Sequence, residues 1–583
     1  MHSKKRKKLT LERLVEILEP TAVWILVLFI IIGSFLFPFP VVLFVVIFNI
    51  YFLFQTFKVA KGVVLNTIRI KIISSINWAN MFTELDNIPN AIEKLKMDIL
   101  EFKASKTIDS VLTGERTNVL TKIVSKIRKN LFIGELKFRL RRLQYLQKNN
   151  IQTPRAEDVK HVFIIATAFE PPQLIARLIT TITSQNLVEN YGKNILILLG
   201  QESANKDFMQ FREEILSLVD TSAIQGIWFN VHDLDLENET KGKHSNVNSV
   251  ARNLFPRIES ELSWNPETTL VHVVDTPIVL NENYASLMAY EFVTQPVDRK
   301  YKIYSSCILF YNNIWDIPLP NRMSNTTFSL WNIYNITRGY HFVPISSYTS
   351  TMWLAKNVNY WDTKVIPEDH HYFYNSFYTF GDKIMSVPIF LFTGKDAAQA
   401  KSYWRTYKNQ YNQYQRWAYG ISDIGYVVRK TLTSTNVPFF SRLRRLKEYL
   451  RTHFLWPTSW FVVMIGTNLP FLINTDFRRS LSAVIVPDIL SITTLSFISL
   501  FVVILIVDIF IKPKKSQSLD NSFTRSISLI QWIAFPAISF IYSSLPALDA
   551  HTRLMLGKYL QYKITEKVAP KPILSSESKI KNV

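Results

Sequence analysis

One stretch near the start of the chain limits the possible folds more than any other feature. It runs from Pro20 to Phe57, 38 residues without a single Asp, Glu, Lys, Arg or His. As one helix it would be about 57 Å long, whereas the apolar core of a bilayer is about 30 Å thick. Pro38 and Pro40 lie near its middle, and two prolines so close together break a helix. The stretch therefore predicts a hairpin of two membrane spans, residues 20–37 and 40–57. It is too long for a cleaved signal peptide and lacks a small-residue cleavage site.

The last third of the chain contains three more apolar stretches without ionised residues: Phe454–Thr475, Ile489–Val507 and Ser526–Leu548. Each is long enough to span a bilayer. The last contains Pro536 and Pro546, so it is either a kinked span or a re-entrant segment. Burial of these stretches in a soluble core is the alternative. The pattern favours a multi-pass membrane protein.

Basic residues indicate the orientation of these spans. Lys4–Lys8 precede the first predicted span, Lys58, Lys61, Arg69 and Lys71 follow the second, and Lys512, Lys514 and Lys515 follow the fourth, Ile489–Val507. Basic loops lie preferentially on the cytoplasmic side, so we predict a cytoplasmic location for the large intervening region, at the plasma membrane. The tail after Leu548 is also basic, which favours a re-entrant last segment.

The net charge of +21 is concentrated beside the membrane. Residues 56–160 contain 20 Lys and Arg against 10 Asp and Glu. Docking on anionic lipid headgroups explains this better than a nucleic-acid partner, particularly for Phe138–Leu143, which mixes apolar and basic residues. A solvated helical face is the alternative. The single cysteine, Cys307, excludes a disulfide framework.

The region between the spans has the pattern of an α/β domain. Three short apolar runs predict buried parallel strands: His161–Ala166, Asn194–Leu199 and Leu270–Val274. A helical stretch from Pro172 to about Gln185 separates the first two, as in a doubly wound sheet. Ligands bind at the carboxyl ends of such strands, where Glu170, Glu202 and Asp275 follow the three runs.

These observations divide the chain into five predicted regions: 1–57, a basic N-terminus and membrane hairpin; 58–157, a basic helical membrane-proximal region; 158–435, the α/β domain; 436–548, a C-terminal membrane region; and 549–583, a basic tail.

Short motifs in the α/β domain carry the chemistry expected for sugar transfer from a nucleotide donor. They are Lys243-His-Ser-Asn246-Val-Asn248, Val273-Val274-Asp275, Glu368-Asp369 and Gln413-Tyr-Gln-Arg416-Trp417. A strand-end carboxylate can hold a divalent cation against a diphosphate, and a lysine and amides can stabilise the leaving phosphate. A second carboxylate can take the proton of an acceptor hydroxyl. An Arg–Trp pair offers a phosphate contact and an apolar platform for a sugar ring.

In order and spacing, these motifs resemble the family 2 glycosyltransferases, in particular the membrane-integrated branch related to cellulose, chitin and hyaluronan synthases. The resemblance covers about residues 160–430. It implies a GT-A-like, Rossmann-like catalytic domain combined with α-helical transmembrane segments. It also implies an inverting transfer from a nucleotide sugar, expected to be a UDP-sugar, to a saccharide or lipid-linked acceptor, with processive polysaccharide synthesis left open.

The resemblance also implies roles for individual residues. The catalytic pair is Glu368 and Asp369, with Asp369 as general base. The nucleotide sugar would contact Glu170, Glu202, Lys243, Asn246, Asn248 and Asp275. The acceptor and diphosphate would contact Gln413, Arg416 and Trp417. The stretch from Ser346 to Ser350 is expected near the acceptor, without assigned roles.

Two positions depart from the family pattern. The metal motif of the family is Asp-x-Asp, and here only Asp275 of the two acidic positions is present. One carboxylate with a diphosphate and waters can still hold Mg²⁺ or Mn²⁺, so a metal at Asp275 is predicted. Glu202 stands where many relatives have an aspartate that contacts the base.

The alternatives have their own support. The missing acidic residue fits a non-catalytic membrane protein whose transferase-like domain is a binding module, and transfer of a single sugar to a lipid carrier is a nearer alternative. Asp275 can cap a strand, the Glu368-Asp369 pair can favour a helix N-terminus, and Arg416 with Trp417 can form a structural cation–π pair. The oligomeric state stays open.

Overall fold

A computed structural model of the chain describes residues 10–104, 119–203, 207–233, 236, 239–295, 298–513 and 531–560. The predicted basic cluster at residues 4–8, Lys514 and Lys515, and the tail from residue 561 onward lie outside this part of the chain.

The described residues form helices α1 Leu11–Leu36, α2 Pro38–Ser74, α3 Trp78–Thr83, α4 Ile88–Ala104, α5 Val119–Lys148, α6 Pro172–Thr183, α7 Val188–Tyr191, α8 Phe208–Leu218, α9 Lys243–Leu262, α10 Tyr284–Val293, α11 Leu319–Asn335, α12 Met352–Asn357, α13 Glu368–Phe380, α14 Tyr403–Ala418, α15 Ile424–Thr433, α16 Phe439–Trp460, α17 Thr467–Ile473, α18 Thr475–Arg478, α19 Leu481–Ile511, α20 Phe535–Ser539 and α21 Leu545–Met555. The strands are β1 Lys160–Thr167, β2 Ile195–Glu202, β3 Gly226–His232, β4 Thr269–Val274, β5 Ile278–Val279, β6 Lys302–Leu309, β7 Tyr348–Thr351 and β8 Met385–Lys395.

The eight strands form one sheet in the order β3-β2-β1-β4-β7-β6-β8-β5. The first four are parallel to one another. Three of them, β1, β2 and β4, match the predicted runs, whereas β3 was not predicted. β7 then runs antiparallel to β4, and β5 runs antiparallel to β8, so the sheet is mixed. The predicted combination of an α/β domain with long apolar helices is confirmed.

Both faces of the sheet are buried, as expected for a doubly wound arrangement. Successive residues of β1 point to opposite faces: Phe163 and Ile165 belong to one hydrophobic cluster, and Val162 and Ile164 belong to another. Helix α9 packs against β1, β2 and β3 on one of these faces. Because both faces of the central strand β1 are covered, its polar groups can reach open space only at its ends.

The predicted break in the first apolar stretch is present. Helix α1 ends at Leu36, and α2 begins at Pro38, where proline is tolerated because the first helical N–H has no partner within the helix. Helix α2 continues to Ser74, well beyond the predicted end of the span at residue 57. Its 37 residues are about 56 Å long. The C-terminal half therefore extends out of a bilayer and reaches the α/β domain, where Asn66 Nδ2 donates to Ile333 O at 2.6 Å.

Within the described residues, four helical segments are long and apolar enough to cross a membrane: Leu11–Leu36, Pro38–Ser74, Leu481–Ile511 and Gln531–Met555. The predicted span Phe454–Thr475 is not among them. That segment is helical and packs on the hairpin through Val462, but Thr458, Ser459 and Asn468 interrupt its apolar residues.

The last segment contacts both the membrane helices and the α/β domain. Phe535 stacks on Phe501 of α19, with ring centroids 4.3 Å apart. In the same cluster, Phe535, Ile538 and Tyr542 pack with Met323 of α11. Contacts to the domain along the segment are compatible with the predicted re-entrant arrangement, which stays a prediction.

The basic segment before the α/β domain differs from the expectation in one respect. Arg139 is buried between Glu135, at 3.2 Å, and the ring of Trp78. Arg142 pairs with Glu291 of α10 at 2.7 Å. Both guanidinium groups already have partners within the protein, so the prediction that they bind lipid headgroups is wrong.

Helices α1 and α21, the first and last described helices, contact each other. The Arg13 guanidinium of α1 donates from Nη1 to Leu554 O at 2.7 Å and from Nη2 to Met555 O at 2.6 Å. These carbonyls lie in the last turn of α21, where backbone acceptors have no partner within the helix. Arg13 thus caps the C-terminus of α21.

Candidate active site

Residues from four distant motifs meet at one cavity of about 270 Å³ beside the carboxyl edge of the sheet. Asp275 directly follows β4, Lys243 begins α9, and Glu368 and Asp369 form the first turn of α13. The end of α14 supplies three more predicted residues: Gln413, Arg416 and Trp417. Seven of the eleven predicted site residues therefore line the same space.

A lysine and two carboxylates form the centre of this site. Lys243 Nζ contacts Asp275 Oδ1 and lies 2.8 Å from Glu368 Oε1. It also donates to Ser346 O at 3.0 Å. The three side chains are mostly buried, so their charges interact in a medium of low dielectric constant.

A second lysine, Lys395 at the end of β8, completes the cluster. Its Nζ lies 2.5 Å from Asp275 Oδ2 and 2.7 Å from Ser346 Oγ. The Ser346 hydroxyl also donates to Asp275 Oδ2. Sequence reasoning did not identify Lys395, although it follows the apolar run Ile389–Phe392, so the strand-end argument used for Asp275 would have found it.

Burial and neighbouring charges shift the pKa values of this cluster in opposite directions. Burial raises the pKa of Glu368 to about 7, with Asp369 and Asp275 adding to the rise and Lys243 opposing it. Burial also acts to raise the pKa of Asp275, but the two lysines outweigh it and hold that pKa well below its usual value. For Lys243, burial acts to lower the pKa, and the carboxylates of Asp275 and Glu368 reverse this effect and raise it.

Asp369 is held by backbone donors. Its Oδ2 accepts from Ser346 N at 2.5 Å, and its Oδ1 accepts from His370 N at 2.7 Å. Ser346 has a φ of +65°, which is unusual for a residue with a Cβ. In this backbone conformation, the hydroxyl, carbonyl and N–H of Ser346 each bind a charged residue of the site.

The predicted Arg–Trp pair stands on an aromatic cluster. The Trp417 ring stacks on Phe328 with centroids 4.6 Å apart, and Tyr414 lies 4.9 Å away. Gln413 Oε1 accepts from Gln410 Nε2 at 3.4 Å. The two ring contacts orient the indole of Trp417 at the cavity wall.

Four predicted residues do not line this cavity. Glu202 at the end of β2 accepts from His232 Nδ1 at 3.0 Å, and His232 Nε2 contacts Glu239 at the same distance. Glu170 Oε2 accepts from Ala168 N at 2.8 Å. These groups lie at the carboxyl ends of β1, β2 and β3, and their predicted contact with the nucleotide stays a prediction.

The two asparagines of the lysine motif have structural contacts. Asn246 Nδ2 donates to Thr167 O and Gly200 O, each at 3.2 Å, and so joins the ends of β1 and β2. Its Oδ1 lies so close to Gly200 that a Cβ there would collide with it. Asn248 Oδ1 accepts from Arg252 Nε at 3.3 Å. Their predicted role in nucleotide binding is untested.

The donor set at Asp275 does not fit the predicted Mg²⁺ or Mn²⁺. Such ions need several open oxygen ligands, whereas Lys243 and Lys395 engage both oxygens of Asp275. Val273, at the first position of the family's metal motif, is buried in the core. Among the residues that the structure describes, no group of three His, Cys, Asp or Glu is arranged to hold a metal ion.

Comparison with known proteins gives little further information. No family model matches the sequence, and no curated protein matches it. Among solved structures, the chain is similar to the mannosyltransferase PcManGT from Pyrobaculum calidifontis in complex with GDP-Man and Mn²⁺, with 13% sequence identity and a TM-score of 0.38. The match covers 65% of this chain and 95% of that one. At this identity and TM-score, the similarity carries no conclusion about activity.

Proposed function

We propose that this chain is a membrane-bound inverting glycosyltransferase related to family 2. It moves a sugar from a nucleotide-sugar donor, of which a UDP-sugar is the first candidate, to a saccharide or lipid-linked acceptor. One observation carries the proposal: Lys243, Asp275, the Glu368–Asp369 pair and the Gln413–Trp417 motif border a single cavity. Residues so far apart in sequence are brought together by the fold at the sheet edge where α/β proteins bind ligands.

The proposed chemistry uses groups of this chain. The oxygen of the acceptor hydroxyl attacks the anomeric carbon, and the bond from that carbon to the diphosphate breaks on the opposite face. The carboxylate of Asp369 accepts the hydroxyl proton. The electron pair of the broken bond stays on the diphosphate, where Lys243 and Arg416 supply positive charge. Trp417 offers its ring face to the acceptor sugar.

Other residues of the cavity lining support a saccharide acceptor. Its lining includes Trp331, Trp417 and Trp456 together with Arg338 and Glu448. Indole faces with polar groups between them are suited to sugar rings, which have both apolar faces and hydroxyl edges. Product length, measured by mass spectrometry, distinguishes polymer synthesis from the transfer of one sugar.

The helices support a location at the cytoplasmic face of the plasma membrane. The C-terminal half of α2, which contains Lys58, Lys61, Arg69 and Lys71, lies against the α/β domain. Basic residues next to a span favour the cytoplasmic side, so the domain that packs on them belongs on that side as well.

The replacement Asp369→Asn tests the proposal. The amide keeps the size of the side chain but cannot accept the proton, so transfer should fall at least 100-fold, within the range attributed to general bases, while nucleotide binding persists. The measurement is transfer from a panel of nucleotide sugars by the detergent-solubilised full chain. Asp382→Asn, an exposed change just after the other end of α13, is the matched control. Unchanged turnover in Asp369→Asn, or no transfer with any donor, contradicts the proposal.

A further inference from the structure

The cluster around Asp275 already contains the amount of positive charge that a divalent cation would bring. Lys243 and Lys395 each place an ammonium group on one oxygen of this carboxylate. Two ammonium groups carry a charge of 2+, equal to that of Mg²⁺. A cation bound to Asp275 would have to displace both or lie directly beside them, at a high electrostatic cost in this mostly buried site.

The position of Lys395 is fixed by contacts on both sides of it. Lys395 pairs with Ile278, three residues after Asp275, in the β5–β8 ladder. The next residue, Asp396, is bound at 2.7 and 2.8 Å by Arg177 of α6, and at 2.8 Å by Asn312. The backbone that carries Lys395 is therefore fixed at the edge of the sheet, and Asp275 and Ser346 hold the ammonium group itself, as preorganised electrostatic catalysis requires.

Gly394 leaves room for a neighbouring side chain at this edge. A Cβ on Gly394, the residue before Lys395, would collide with the side chain of Asn312. Phe310, which lines the cavity, has its ring centre 5.7 Å from Lys395 Nζ. The lysine is thus held with its ammonium group at the cavity wall and its stem beside an aromatic ring.

From this geometry we infer that Lys395 is a further catalytic residue, and that Lys243 and Lys395 together replace the divalent cation in stabilising the leaving nucleoside diphosphate. The inference rests on the proposed function and names how that reaction proceeds without metal. As the bond between the anomeric carbon and the diphosphate oxygen breaks, its electron pair stays on the diphosphate. Lysine binds phosphate as a compact point charge, and the two ammonium groups face the charge that develops. The acceptor proton moves to Asp369, so no further reactant is needed.

The first test removes metal from the wild-type chain. Transfer from UDP- and GDP-sugars is measured with the metal-depleted, detergent-solubilised protein in excess EDTA, and again with added Mg²⁺ or Mn²⁺. We expect rates within about threefold of each other, less than the effect of a single lost catalytic donor. Transfer that EDTA abolishes and Mg²⁺ or Mn²⁺ restores overturns the inference but supports the proposed function. No transfer under either condition overturns the proposed function, and the inference with it.

The second test removes the ammonium group. Lys395→Met keeps the length of the stem, and we expect it to lower transfer in EDTA about 100-fold or more and to weaken binding of UDP or GDP in calorimetry. Lys395→Arg keeps the charge and should retain more activity than Lys395→Met. The matched control is Lys383→Met, an exposed lysine near the opposite end of β8. Wild-type transfer and nucleotide binding in Lys395→Met overturn the inference.

Thermal unfolding separates loss of charge from loss of fold. Lys395→Met should unfold within a few degrees of Lys383→Met. If it unfolds much earlier, the comparison of Lys395→Arg with the wild type and the EDTA measurement decide the inference, because neither removes the positive charge from the cluster. Loss of transfer in Lys395→Arg equal to that in Lys395→Met overturns a role that depends on charge.

Discussion

Two clusters at the same sheet edge place a basic group between carboxylates, and they differ in their relation to the cavity. In the first, Lys243 and Lys395 hold Asp275 and Glu368. These four residues come from four separate elements, and all of them line the cavity. In the second, His232 lies between Glu202 and Glu239. Glu202 and His232 stand side by side at the ends of β2 and β3, and neither lines the cavity.

Burial and pairing do not distinguish the two clusters, whereas their position relative to the cavity does. Neighbouring strands can bring a carboxylate and a histidine together through local register, which requires no cavity. Four elements that converge on an open space require the whole fold to position them. We therefore place the proposed chemistry at the first cluster, and we propose for the second at most a contact with the nucleotide.

The largest expected difference between the clusters is in stability. Asp275→Asn removes the carboxylate shared by two ammonium groups and leaves both partly unpaired in a mostly buried site. Breaking such a pair from one side should lower the free energy of unfolding by about 3 kcal/mol, and transfer should be lost as well. Unfolding of the detergent-solubilised full chain, followed by tryptophan fluorescence, measures the change.

The matched replacement in the second cluster should have a smaller effect. In Glu202→Gln, His232 keeps its contact with Glu239 at 3.0 Å, so the loss should be about 1 kcal/mol. If Glu202 contacts the base, nucleotide binding should weaken about tenfold while the turnover number is unchanged. Calorimetry with UDP and transfer kinetics provide the two values. Equal destabilisation by Asp275→Asn and Glu202→Gln would remove the distinction between the clusters.

The smallest expected difference appears in the pH dependence of stability. Burial acts to lower the pKa of His232, but Glu202 and Glu239 outweigh it and raise the pKa above its usual value of 6.5. The folded chain therefore keeps a proton that the unfolded chain releases above about pH 6.5. The stabilisation is complete below that pH and is lost as the pH rises through the folded-state pKa.

The variant His232→Gln isolates this effect. The difference in unfolding free energy between the wild type and His232→Gln should be largest near pH 6 and shrink towards pH 9, the sign that linkage requires for a raised histidine pKa. Thermal unfolding at three pH values measures it. A difference that grows with pH contradicts the protonated state of His232.

The strand ends and the break at Pro38 could be predicted because both are local. Apolar runs followed by Glu202 and Asp275 indicate where strands stop, and proline restricts its own backbone. The convergence of Lys243, Asp275 and the Gln413–Trp417 motif could be expected only from the resemblance, since contacts over such sequence separations are set by packing.

The remaining features depend on tertiary contacts that no local pattern reports. Lys395 joins the site because β8 pairs with β5 beside Asp275, and the mixed sheet results from the insertion of β7 next to β4. Arg139 and Arg142 were expected at the lipid surface because the sequence shows their charge. Their partners Trp78 and Glu291 come from other helices, so no local pattern indicates that the two arginines have partners within the protein.

The contact of Arg13 with the last turn of α21 has a consequence for the order of assembly. Helix α1 is synthesised before α21, but two donors of its Arg13 have their acceptors at Leu554 and Met555. During synthesis, this contact cannot form until more than 500 residues have followed Arg13. The contact between α1 and α21 can therefore close only after translation has passed residue 555, when the α/β domain between the two helices has already been synthesised.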